Sequence, residues 1–112
     1  MAAALKAQGN AHFAKKQWQE ALDLYSQALD LEKDNIALGA LLSNRSACLA
    51  HLDRFELALA DASRCIKLRP RWSKGFARSG EAYSRMQSFE LAERACEHLI
   101  HLNVRTILTL RL

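Results

Sequence analysis

The 112-residue chain predicts an all-α fold built from three tandem helix-turn-helix units. Three observations carry that expectation. First, "QWQEALDLYSQALDL", "RFELALADASRCIKL" and "SFELAERACEHLIHL" superimpose without gaps, and self-similarity at a fixed period marks a repeat architecture. Trp18, Phe55 and Phe89 fall together, as do Ala21, Ala58 and Ala92, and Leu31, Leu68 and Leu102. Second, apolar residues inside each unit recur at three and four, the period of an amphipathic helix. Third, no segment alternates with the two-residue period of a strand.

The first helix is expected over about 2–16 and carries two costly residues. Gly9 costs about 1 kcal/mol against alanine in a helix interior, and the Asn10 amide competes for backbone hydrogen bonds. Gly9, Ser46 and Gly80 occupy one equivalent small position, which reads as the place where paired helices press together. The second helix, about 18–32, opens on an aromatic that fills the gap between units. The third and fourth follow at about 38–52 and 55–68, and the fifth and sixth at about 72–86 and 89–102. Equivalent alanines stand 37 and then 34 residues apart, and the three extra residues are assigned to the connection "KDNIAL". The repeats are then about 2–35, 39–72 and 73–106, in a single domain spanning 1–112. Residues 104–112, "VRTILTLRL", form a partial capping segment or a tail, because a solenoid must cover its last apolar face. An uncapped last helix would also offer a surface on which a second copy could pack.

Composition excludes several classes. One proline and four glycines leave no room for extended linkers. No apolar run nears the ~18 residues of a membrane span, and "MAAALKAQGN" lacks the apolar stretch of a secretory signal. Cys48, Cys65 and Cys96 are odd in number and lack paired-ligand spacing, so they read as free core thiols of a reducing, cytoplasmic setting. The net charge of +4 favours acidic partners.

Nothing in the sequence assembles an active site. His12, His51, His98 and His101 have no serine or cysteine beside them at a catalytic spacing. His98 and His101 lie near Cys96 but fall short of the four ligands of a structural zinc site. No Gly-rich phosphate loop exists, so neither cofactor nor catalysis is expected. A basic cluster (Arg64, Lys67, Arg69, Arg71, Lys74, Arg78), with Trp72 for stacking, suggests a nucleic-acid patch. The acids Glu56, Asp61 and Glu81 are interspersed with it and argue against that reading.

The informative polar residues sit on the first helix of each unit. Lys6 and Asn10 are four apart, as are Lys74 and Arg78, so each pair shares a helix face. Asn44 lies at nearly the equivalent depth on the third helix. First helices line the concave side of a stacked solenoid, so cations and amides would converge there. Charge plus several directed donors is what a carboxylate needs.

The whole pattern resembles the tetratricopeptide repeat. Leu5, Gly9, Ala21 and Tyr25 carry the resemblance in the first unit, Leu42, Ser46, Leu49, Ala58 and Pro70 in the second, and Phe76, Gly80, Tyr83 and Ala92 in the third. Lys33 and Val104 stand where the closing proline would be, and Leu99 where the family usually has a small residue. The resemblance implies a right-handed superhelical solenoid with a concave peptide groove. Lys6, Asn10, Asn44, Lys74 and Arg78 further match the carboxylate clamp of tetratricopeptide domains in Hsp70/Hsp90 co-chaperones. That match implies a ligand, the C-terminal Glu-Glu-Val-Asp of Hsp70 or Hsp90, and a role for each residue. Lys6, Asn10 and Asn44 would hold the terminal carboxylate, Lys74 the aspartate side chain, and Arg78 the groups just upstream. Phe13, Ala47 and Ala50, one turn along, would form an apolar pocket for the valine. The competing expectation is a repeat scaffold that binds an internal segment of another protein. Neither a membrane nor a nucleic acid is expected as a partner.

Overall fold

The computed structural model describes residues 1–86. The expected sixth helix, the tail at 104–112, and the residues Cys96, His98, Leu99 and His101 lie outside the described residues. Five helices follow one another: α1 (Ala2–Ala14), α2 (Trp18–Leu31), α3 (Asn35–His51), α4 (Phe55–Leu68) and α5 (Ser73–Arg85). No strand occurs among the described residues. Helices α1 and α2 form one pair and α3 and α4 the next, with α5 packed on both members of the second pair.

The two pairs turn in the same way, one repeat apart. Lys16 and Asp53 both adopt left-handed backbone, with φ of 60° and 61°. Just after them, the Gln17 N–H donates to the His12 carbonyl at 3.0 Å and the Arg54 N–H to the Leu49 carbonyl at 2.8 Å. These six-to-one bonds satisfy carbonyls that the helix end would otherwise leave orphaned. α1 therefore ends at Ala14, short of the expected 16.

The start of α3 corrects the sequence reading. Its first turn takes in residues assigned to a connection, because Asp34 caps the helix: its carboxylate accepts the Ala37 N–H at 3.0 Å. An N-cap aspartate satisfies a donor that the first turn leaves free. The three extra residues of the first repeat thus lengthen a helix rather than a loop.

Packing explains the small residues. A Cβ on Gly9 would lie 2.7 Å from Tyr25 Cε1, so only glycine lets the α2 ring lie against α1 this closely. Ser46, in the equivalent position on α3, is buried and donates its hydroxyl to the Ala58 carbonyl of α4 at 2.7 Å. The core between the pairs holds Ala21, Leu22, Tyr25 and Ala28 of α2 with Leu41, Cys48, Leu49 and Ala50 of α3, Ala58 of α4 and Ala82 of α5. Cys48 and Cys65 are buried free thiols, as expected. Burial pushes the Cys48 thiol up to about 12 and raises that of Cys65 as well. Cys65 donates to the Gly39 carbonyl at 3.3 Å.

Ala58 has no exposed surface. Ala58→Leu should therefore destabilise the domain by about 1–2 kcal/mol through overpacking, read as a lower urea midpoint with an unchanged m-value. A parent-like midpoint would mean that α3 and α4 do not meet at Ala58.

Asp61 is also recast by the structure. The sequence reading counted it among acids diluting a basic surface, but it is buried and belongs to an ion pair with Arg45 of α3. Arg45 Nε–Asp61 Oδ2 is 2.7 Å and Arg45 Nη2–Asp61 Oδ1 is 2.9 Å, a fork matched to a carboxylate. Arg45 Nη1 also donates to Ser26 Oγ of α2 at 3.3 Å, so one guanidinium joins three helices.

Candidate functional site

Side chains of α1 and of α5 both reach α3 at the positions where the sequence places its candidate groove residues. Three of the five expected clamp residues are tied there by direct contacts. Asn44 Nδ2 of α3 donates to Asn10 Oδ1 of α1 at 3.4 Å. Arg78 of α5 donates through Nε to the buried Ser43 hydroxyl of α3 at 3.1 Å. Neighbouring positions on α3 thus hold the polar residues of both flanking helices.

The other two cations are placed by helix geometry alone. Lys6 lies one turn before Asn10 and is half-buried; Lys74 lies one turn before Arg78 and is exposed. Neither makes an ion pair with an acid among the described residues. Lys74 Nζ stands 5.8 Å from the centre of the Trp72 ring, within reach of its π-face. Arg69 covers that ring more closely, with Cζ at 3.9 Å.

The three residues expected to form the apolar pocket sit at different depths. Ala47 and Ala50 are each only 1% exposed, because α3 is central and packed on both sides. Of the three residues expected to line the pocket, only Phe13 presents surface. Its ring meets Trp18 edge-on, with centroids 5.0 Å apart, and Trp18 in turn stacks flat on His51 at 3.8 Å. Trp18 and His51 join Phe13 in an aromatic wall that sequence reasoning did not assign to the site. Burial, and after it the nearby Arg85 charge, lowers the His51 pKa below the ordinary imidazole value, which favours a neutral ring.

Two further residues support the polar cluster. Tyr25 donates its hydroxyl to Asn10 Oδ1 at 2.6 Å. Burial, which disfavours the phenolate, pushes the Tyr25 pKa up to about 12, so the hydroxyl keeps its proton and stays a donor. Glu81 accepts from Arg78 Nη1 at 3.1 Å, and its other oxygen lies 3.5 Å from Arg85 Nε and 3.9 Å from His51 Nε2. A sequence signal existed for the Glu81 contacts to Arg78 and Arg85, which lie three and four residues away along the helix. None existed for Tyr25, whose partner is 15 residues away.

Asn10, Asn44 and Arg78 thus bring amide and guanidinium groups together across α1, α3 and α5, and Phe13, Trp18 and His51 form a separate aromatic stack. No cluster of three or more His, Cys, Asp or Glu among the described residues is placed to hold a metal ion. No helix among them is long and apolar enough to cross a membrane.

Comparison with known proteins agrees with this architecture. A family model described as "Tetratricopeptide repeat" matches residues 2–35. The Sgt2 TPR domain from Aspergillus fumigatus superimposes with a TM-score of 0.79 at 34% identity, covering 91% of this chain and 66% of that one. The chain belongs to the tetratricopeptide-repeat family. Among curated relatives of this family, the heat shock protein sti1 homolog of Schizosaccharomyces pombe is 42% identical over 97 residues, or 87% of this chain. The chain spans only 16% of that relative's length. A further tetratricopeptide structure, the first TPR of Spaghetti (RPAP3) bound to the HSP90 peptide SRMEEVD, has a TM-score of 0.78 at 27% identity. It is matched over 90% of this chain and 78% of its own.

Proposed function

We propose that this tetratricopeptide domain is a co-chaperone adaptor module that captures the acidic C-terminal peptide of Hsp70 or Hsp90. The observation that carries the reading is the meeting of Asn10 and Asn44 across two helices, with Lys6, Lys74 and Arg78 on the same set of first helices. A terminal carboxylate offers several lone pairs in a small volume, and paired amides flanked by cations answer them with directed donors. The sti1-type relative and the HSP90-peptide-bound neighbour support the same ligand class.

In this reading Lys6, Asn10 and Asn44 hold the main-chain carboxylate, Lys74 holds the aspartate side chain, and Arg78 reaches the groups upstream. Phe13, with Trp18 and His51 behind it, faces the peptide's apolar side chain above a floor set by the small Ala47 and Ala50. The chain works as one domain of three repeats over 1–112, in the cytosol, where Cys48 and Cys65 stay reduced. It needs no cofactor and catalyses no step.

Calorimetric titration with a Glu-Glu-Val-Asp peptide tests this at one residue. Lys74→Ala should weaken binding by about 1.5 kcal/mol, the low end for a charged hydrogen bond because Lys74 is exposed. Its melting should stay within about 0.5 kcal/mol of the parent, as for a surface substitution. Lys67→Ala, on the last turn of α4 and outside the groove, should bind like the parent. Equal affinities for Lys74→Ala and Lys67→Ala would remove Lys74 from the site.

A further inference from the structure

We infer that Tyr25 is a positioning residue for the clamp: its hydroxyl fixes which end of the Asn10 amide faces the groove. The inference rests on the peptide-binding reading above and adds to it a residue on the second helix of a repeat, away from the groove-lining helices.

The argument starts from the amide itself. Rotation of a side-chain amide by half a turn exchanges an acceptor for a donor. Presented oxygen-first to a carboxylate, Asn10 would repel it; presented nitrogen-first, it donates. Asn10 is exposed, so packing alone does not choose between the two. Tyr25 does choose. Its hydroxyl reaches Asn10 Oδ1 at 2.6 Å, and Asn44 Nδ2 adds a longer contact of 3.4 Å to the same oxygen. With the oxygen engaged twice, the Asn10 nitrogen is turned away with no acceptor among the described residues.

The tyrosine can do this because of the residue before Asn10. The ring is buried and passes so close to α1 that a Cβ on Gly9 would stand 2.7 Å from Cε1. Gly9 thus admits the ring, and the ring carries a protonated hydroxyl to the groove-facing side of α1. The adjacent glycine and asparagine act as one device.

Tyr25→Phe keeps the ring and removes only the donor. Against a free-acid Glu-Glu-Val-Asp peptide its affinity should fall about 5- to 10-fold, the worth of one neutral hydrogen bond. Affinity for the C-terminally amidated peptide should change less, so the acid-over-amide ratio shrinks. In an Asn10→Ala background, Tyr25→Phe should cost no further affinity. An equal cost in both backgrounds would mark Tyr25 as merely structural and overturn the inference. A second readout needs no peptide: in the free protein, Tyr25→Phe should shift the Asn10 side-chain NH2 resonances in a ¹⁵N–¹H spectrum. Unmoved resonances overturn the inference as well. If the parent itself binds acid and amide alike, the groove reading fails and this inference with it. If the parent discriminates and Tyr25→Phe discriminates equally, only the role of Tyr25 falls.

Discussion

Amidating the C-terminus of a Glu-Glu-Val-Asp peptide should weaken its binding to this domain by about 2–3 kcal/mol, close to a hundredfold. The amide loses the negative charge and one oxygen, and it brings N–H groups against the donors of Asn10 and Asn44. Lys6 is half-buried and would then face the groove with no anion to answer it. Leaving a desolvated cation unpaired costs more than the pair contributes, although residual water at Lys6 and Asn10 keeps the penalty below that of a buried site. Paired calorimetric titrations of acid and amide at one fixed salt concentration give the difference directly. Equal affinities would mean that the terminal carboxylate is not the anchor, and that the groove takes an internal segment of its partner.

The largest loss of stability is expected from Asp61→Ala, about 2–3 kcal/mol in urea or thermal unfolding. Asp61 is the acceptor for two Arg45 bonds, and the side chains are 6% and 22% exposed respectively. Removing the acid leaves the guanidinium among α2, α3 and α4 with Ser26 Oγ as its one hydrogen-bond partner among the described residues and the Asp30 charge near it. Breaking a fully buried pair costs about 3–5 kcal/mol; the partial exposure of Arg45 lowers the figure here. Asp61→Asn, which keeps an acceptor oxygen, should lose less. A loss below about 0.5 kcal/mol for Asp61→Ala would place the pair with ordinary surface ion pairs.

These two cases show what the sequence could and could not disclose. The helices were legible because their signals are local: the three-and-four spacing of apolar residues and the small residues where helices meet. Gly9 was read as a packing position on that basis, and Tyr25 is what it packs against. The start of α3 was missed although Asp34 supplied a cap signal, because the longer first repeat was read as a longer loop. Depth was harder to judge than position. Ala47 and Ala50 were placed correctly along α3, but how far each sits below the surface depends on neighbours from other helices. Long-range polar pairing was not legible at all. Arg45 with Asp61, and Tyr25 with Asn10, are joined across helices by side-chain reach, for which spacing along the chain carries no signal. The clamp set was legible in the spacing of polar residues on the first helix of each unit, while the ligand and the role of each residue came only through resemblance to a known motif. Asn10, Asn44 and Arg78 are the members tied into the groove by hydrogen bonds.

Glu81 gives the groove a counterion of its own. Its carboxylate rests on Arg78 and near Arg85, so an arriving acid meets an arginine that already has company. A stray carboxylate gains little there, since it only exchanges one oxygen for another. A ligand profits from Arg78 only if it brings its oxygen in alongside Glu81 while anchored elsewhere by the amides. For a domain of net charge +4, surrounded in a cell by nucleic acids and acidic proteins, such an arrangement would act as a filter. If the groove takes the peptide proposed above, attraction alone would not fill it; the shape of a chain end would.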